Sequence, residues 1–211
     1  MSASGFHPHY VYTFPDTDVA LATMPLPIVS QTQLLGSVYM ADASTTGHVY
    51  AIDRGTGVLA RSYTLGGVAN YITSASYAGN VHLFVHQASN QLLKLTDLGG
   101  SITFDTTWSN NPKKFAAAES IEVQPIFIVE SGTRYLYHTG DTAPSTAGQT
   151  GKLYKLYADN GNTVSGFGAG TQIAQSYTEQ TLRSLNDQIF YAGPGTSAKR
   201  FYRRDADGTG E

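Results

Sequence analysis

The chain of 211 residues contains no cysteine, a single tryptophan and little charge. Without cysteine there is no disulfide, no thiolate metal site and no thiol nucleophile, and either redox compartment remains open. Charged residues make up 14% of the chain, well below the ~25% of soluble domains generally. A formal charge of −3 provides no electrostatic footprint for nucleic acid or an anionic membrane. Lys113-Lys114 and Arg203-Arg204 are isolated pairs, suited to solvated turns. No apolar run approaches the ~20 residues of a membrane-spanning helix. Residues 1–7 carry no basic segment followed by an apolar stretch, so no signal peptide is expected and the chain reads as soluble. An extracellular or virion-associated location stays open.

What the chain has instead is 22 glycines, 14 tyrosines and abundant Ser, Thr, Asn and Gln. Short β-branched and aromatic runs alternate with Gly-rich turns, the pattern of antiparallel hairpins. It is clearest in residues 36–67, where runs at 38–41 and 49–52 flank a Ser/Thr/Gly turn and a third run, 58–65, follows Arg54-Gly55-Thr56-Gly57. Similar units recur at 81–108, 134–161 and 188–208. An aspartate closes the third strand of each, at Asp53, Asp97, Asp159 and Asp205, with spacings of 44, 62 and 46 residues. The long spacing holds a Gly/Ser/Thr/Pro insertion at 141–151.

Each unit is preceded by another extended run, at 28–35, 70–77, 123–130 and 177–185. Four strands per ~45-residue unit is the arithmetic of propeller blades. The expected fold is therefore all-β and β-propeller-like, one domain over 1–211. Its four blades fall at about 27–67, 68–110, 121–168 and 174–211. The strand at 9–14 (HYVYTF) would close the ring, because an unpaired terminal blade exposes a row of backbone donors and acceptors. Two alternatives are a β-sandwich and a ring completed by another chain. Helical propensity is confined to 113–120 (KKFAAAES), which is short.

Two resemblances accompany this reading. Residues 51–61 (AIDRGTGVLAR) resemble the A-x-D-x-x-T-G-x-x-x-W blade motif of quinoprotein-type propellers, with Arg61 where the motif has the Trp that staples neighbouring blades. Residues 70–98 are similar in rhythm to blades of fungal fucose-binding lectins, which implies a sugar-binding scaffold. A quinoprotein dehydrogenase is not implied, since its stacked tryptophans and adjacent cysteine pair have no counterpart here.

Few constellations point to catalysis. There is no G-x-S-x-G elbow. Glu119, Glu122 and Glu130 are near one another in sequence, and Glu122 and Glu130 share strand parity, but they read as rim residues. His82 and His86 share a strand face with ~13 Å between them, too far for one ion. His7 and His9 flank a proline, and Asp16-Thr17-Asp18 and Asp205-Ala206-Asp207-Gly208 read as Asx-type turns.

Sugar recognition needs an aromatic face and planar polar groups. The candidate ligand-binding residues are Trp108, Tyr50, Tyr77, Tyr154 and Arg61, although core packing competes for each tyrosine. The expectation is thus a non-catalytic, lectin-like module for neutral glycans, without metal or cofactor. The alternative is a structural or assembly protein of a virion or appendage, working through protein contacts as a homo-oligomer or larger assembly. A propeller glycosidase or lyase comes third.

Overall fold

The structure, a computed structural model, describes residues 26–27, 36–88, 90–115, 119–120, 124–142, 151–167, 171–174, 183–185, 188–194 and 199–205. The expected closing strand at 9–14 lies outside them. Among the described residues all regular structure is β, in four sheets that follow one another along the chain.

The first sheet has the order β1 (Leu26–Pro27), β2 (Ser37–Ala41), β3 (His48–Asp53), β4 (Leu59–Thr64). The second runs β5 (Ala69–Tyr77), β6 (Asn80–Gln87), β7 (Gln91–Asp97), β8 (Ile102–Phe104), with β9 (Lys113–Lys114) also on β7. In the third, β10 (Glu119–Ser120) and β11 (Ile126–Glu130) both pair with β12 (Thr133–Thr142), which pairs with β13 (Gly151–Tyr157) and then β14 (Thr171–Ala174). The fourth comprises β15 (Arg183–Leu185), β16 (Gln188–Pro194) and β17 (Lys199–Asp205). Each of these pairings is antiparallel.

The sheets pack face to face in sequence order. Tyr39, Ala41, Val49 and Ala51 of the first share a core with Ile72, Leu83, Val85 and Leu95 of the second. Phe84, Leu92 and Trp108 pack with Leu136, Leu156 and Ala158 of the third. Tyr137 and Leu153 on the third sheet's other side join Phe167 and Ile189, the latter from the fourth. A strand in the middle of such a stack is covered on both sides. This explains why β6 (NVHLFVHQ) and β7 (QLLKLTD) are buried almost throughout, while outer β4 (LARSYT) alternates between half-buried and exposed. Four consecutive sheets stand in place of the two that a sandwich would show.

The turns explain the aspartate spacing. The Asp53 carboxylate accepts the Gly55 and Thr56 amides at 2.9 and 2.7 Å and the Thr56 hydroxyl at 2.9 Å. Gly57 closes that turn with φ of 71°, in the left-handed region that glycine enters without a Cβ penalty. Asp97 likewise accepts the amide of Gly99 at 2.8 Å. After Asp159 the task passes to Asn160, whose side chain accepts the Asn162 amide at 2.9 Å.

The segment 113–120, to which helical propensity is confined, forms strand in its described part. Lys113 and Lys114 pair with Leu92 and Gln91, and Glu119 and Ser120 pair with Thr142 and Asp141. Ladder bonds to β7 and β12 override a weak helical propensity. No helix among the described residues is long and apolar enough to cross a membrane.

Candidate functional site

The first two junctions between sheets are fastened differently. Between the first and second, Arg61 on β4 reaches Asp97 at the end of β7. Its Nε donates to both carboxylate oxygens at 2.7 and 2.9 Å, and Nη2 donates to Oδ2 at 2.6 Å and to Ser37 Oγ at 2.9 Å. The Tyr39 hydroxyl also donates to Asp97. Burial, then the neighbouring carboxylate, pushes that phenol above its ordinary range.

Between the second and third sheets, the Trp108 indole N–H donates to the Ala158 carbonyl at 3.1 Å, and the Ser109 amide donates to Asn160 at 2.6 Å. The ring lies on Gly161, where a Cβ would stand 2.7 Å from it. In the third sheet Lys155 binds Glu130 at 2.7 Å, and its ammonium sits 4.0 Å from the Tyr135 ring centroid and 5.9 Å from that of Phe167. Tyr137 also donates to Glu130.

Arg61 and Phe167 stand at the same offset, eight residues beyond Asp53 and Asp159 respectively. This is the position at which the blade motif has its stapling tryptophan. Trp108 follows Asp97 by eleven residues and makes the corresponding contact one sheet further on.

These contacts locate the five candidates. Trp108 is 2% exposed, and Tyr50 and Tyr154 are buried too. Tyr50 donates to Asp42 at 2.9 Å, and Tyr154 stacks on His138 with centroids 4.7 Å apart. None of these three presents a ring face to solvent. Tyr77 is half-buried, with His82 stacked at 3.9 Å, Phe127 at 5.8 Å and Arg134 at 4.8 Å. Its hydroxyl donates to Ala158 at 3.1 Å. Arg61 is bound to Asp97. The five are spread over the first three sheets and their junctions, and are not gathered at one opening.

Sequence reasoning passed over Asp42, buried at the opposite end of the first sheet. It accepts the Ser44 amide and hydroxyl at 3.0 and 2.6 Å and the His48 amide at 3.2 Å, while His48 Nδ1 lies 3.0 Å away. Burial pulls its pKa up, yet hydrogen bonds from Ser44, Tyr50 and His48 hold it below the usual carboxylate value. The signal was an Asp-x-Ser segment in a hairpin turn, a common backbone-capping arrangement. With Asp42 Nʜ donating to the His48 carbonyl at 3.0 Å, the cluster closes the β2–β3 hairpin.

The remaining carboxylates with described side chains are also engaged by the protein. Burial alone would raise Asp105, but hydrogen bonds from Thr107 and Lys94 hold it down at about 2. Arg134 binds Asp159 at 3.2 Å. Glu130, one of the three glutamates singled out above, belongs to the Lys155 pair; Glu122 lies outside the described residues, as do His7, His9, Asp16, Asp18 and Asp207. No group of three metal-capable side chains occurs among the described residues.

Among the described residues, three large hydrophobic side chains stand exposed. Val58, Leu98 and Val129 are 60%, 57% and 53% exposed. Val58 follows β3, Leu98 follows β7, and Val129 immediately precedes the last residue of β11. The strand registers and the Arg61–Asp97 and Tyr77–Ala158 links bring these turns to one end of the sheets.

Successive antiparallel sheets of three to five described strands, packed face to face, match the architecture of propeller blades. Among solved structures, the chain is similar to BamB from Moraxella catarrhalis at 13% identity and a TM-score of 0.52, covering 84% of this chain and 49% of that one. It is also similar to the Dos1 propeller, at 13% identity and a TM-score of 0.58, covering 81% and 42%. The fold is propeller-like. The chain spans less than half the length of either of these propellers. No family model and no curated protein matches its sequence.

Proposed function

We propose that this propeller-like chain is a non-catalytic binding scaffold whose partner is a protein, engaged at the end bearing Val58, Leu98 and Val129. The reading is carried by one observation: the three large hydrophobic side chains most exposed among the described residues share that end. A single exposed aliphatic residue is ordinary, but several on one face, flanked by polar side chains, suit a protein interface. Here the flanking groups are Arg54, Thr56, Arg134 and Asp159. The engagement of every described carboxylate within the protein supports a holding role over acid–base chemistry.

A neutral glycan is the second reading. It is favoured by the 14% charge, the hydroxyl-rich composition and the lectin-like rhythm of residues 70–98. It requires contact groups other than Trp108, Tyr50 and Tyr154, which lie in the interior.

The test compares the wild type with a variant carrying Val58→Asp, Leu98→Asp and Val129→Asp. Proteins retained by each are identified and purified, then titrated calorimetrically against both, alongside a glycan array. A purified protein that binds the wild type and loses at least tenfold affinity for an equally stable variant supports the proposal. Equal binding to both, or glycan binding that the substitutions leave unchanged, overturns it.

A further inference from the structure

Three histidines stand in the layer between the second and third sheets. His82 and His86 project from β6, and His138 faces them from β12, its ring centroid 6.5 Å from that of His86. His86 and His138 are each 1% exposed, and neither ring has a hydrogen-bond partner among the described residues. Aromatic groups hold His138: Phe115 meets it edge-on at 4.4 Å, and Tyr154 stacks at 4.7 Å. His82 is connected differently. Its Nδ1 lies 3.1 Å from the Thr96 hydroxyl, which donates to Asp105 at 3.2 Å.

The described carboxylates around them are already engaged and leave no counter-ion ready for a second or third imidazolium. From the second sheet, β7 contributes Lys94 and β9 contributes Lys113, while Asp105 follows β8. From the third, β12 contributes Arg134, β13 contributes Lys152 and Tyr154, and Asp159 follows β13. β5 contributes Tyr71 and Tyr77, and β11 contributes Phe127. Asp105 is bound to Lys94 at 3.0 Å and Asp159 to Arg134 at 3.2 Å. Among the described side chains of the layer, Lys94, Lys113 and Arg134 thus outnumber Asp105 and Asp159 before any histidine is protonated.

We infer that this layer is an acid-operated joint: protonation of His86 and His138 opens the contact between the second and third sheets while the sheets themselves persist. Among the described residues the charged forms have no partner when the joint is closed, and they gain water when it opens. The direction of each titration agrees. Burial, aided by Lys94, holds His82 down at about 4. Burial likewise holds His138 at about 3, and burial with His138 nearby depresses His86. Because the closed state has the lower pKa values, the open state takes up more protons between the ordinary histidine value near ~6.5 and these depressed values. The joint is therefore at full strength above that upper value and weakens as pH falls through the window.

Trp108 reports on this joint directly. It is the only tryptophan in the chain, and its indole bonds across to Ala158. Its fluorescence is followed from pH 8 to pH 3 beside the far-ultraviolet circular dichroism of the sheets. The expected result is a red shift that begins below about pH 6.5 and precedes loss of the sheet signal. With His86→Phe and His138→Phe together, the shift moves at least one pH unit lower. In the wild type, hydrogen exchange at pH 5, corrected for its intrinsic rate, accelerates in β6 and β12 and not in β2 and β3. Simultaneous loss of both optical signals, an unmoved shift in the variant, or uniform acceleration of exchange overturns the inference. The exchange measurement decides it even if the double variant does not fold. The outcome is independent of what the exposed end binds.

Discussion

Replacing Arg61 with alanine tests how the first junction is held. The substitution deletes three hydrogen bonds to a fully buried carboxylate, leaving Asp97 with the Tyr39 hydroxyl and the Gly99 amide. Removing one partner of a buried ion pair costs about 3–5 kcal/mol, because the other charge stays buried without compensation. The two surviving donors put the expected loss near the lower end, about 3 kcal/mol. For a chain of this length that is a fall of about 6–12 °C in Tm. Urea denaturation followed by circular dichroism measures it. Pairing Arg61→Leu with Asp97→Asn removes the orphaned charge and recovers at least half of the loss. Arg61→Trp, which restores the tryptophan of the blade motif, leaves Asp97 unpaired and is also destabilising. A loss under ~1 kcal/mol for Arg61→Ala, in the range of an exposed ion pair, would refute the reasoning.

Further expectations follow from the other junctions and the surface. Gly161→Ala places a Cβ 2.7 Å from the Trp108 ring at a φ of +74°, and is expected to lower stability by about 2–4 kcal/mol in a thermal melt. Lys155→Met leaves Glu130 without its cation; a loss of about 2–3 kcal/mol in urea is expected, and no measurable loss would show the pair to be dispensable. Val58→Asp and Leu98→Asp, made singly, should change stability by no more than about 0.5 kcal/mol, since both positions are largely exposed. A larger drop in either melt would mean that the side chain is covered.

Much of the fold was legible because strand periodicity and turn chemistry are local. Asp53 and its Thr-Gly turn specify a tight connection through bonds spanning only a few residues. The order β2–β3–β4 followed from it. The contacts between sheets were harder to read. Arg61 could be placed at the stapling position, but its partner Asp97 lies 36 residues away, and nothing local selects it. Trp108 and Tyr154 have the apolar body and polar tip suited to a sugar site or to a core, and only the neighbouring sheet decides between them. The histidines show the same limit. Spacing along β6 separates His82 from His86, yet the fold brings His138 from another sheet beside His86. The segment at 113–120 shows the same balance: its helical preference is weaker than the ladder that β7 offers to Lys113 and Lys114.

The two fasteners between sheets differ in kind: a guanidinium on a carboxylate and an indole on a glycine. Solvents that weaken one need not weaken the other, so at these two junctions the stack has no common point of failure. Under gradual stress it should come apart in steps, each releasing an intact unit. A search for one repeated fastening residue along the chain would overlook this design, because what recurs is the place of attachment and not the side chain that fills it.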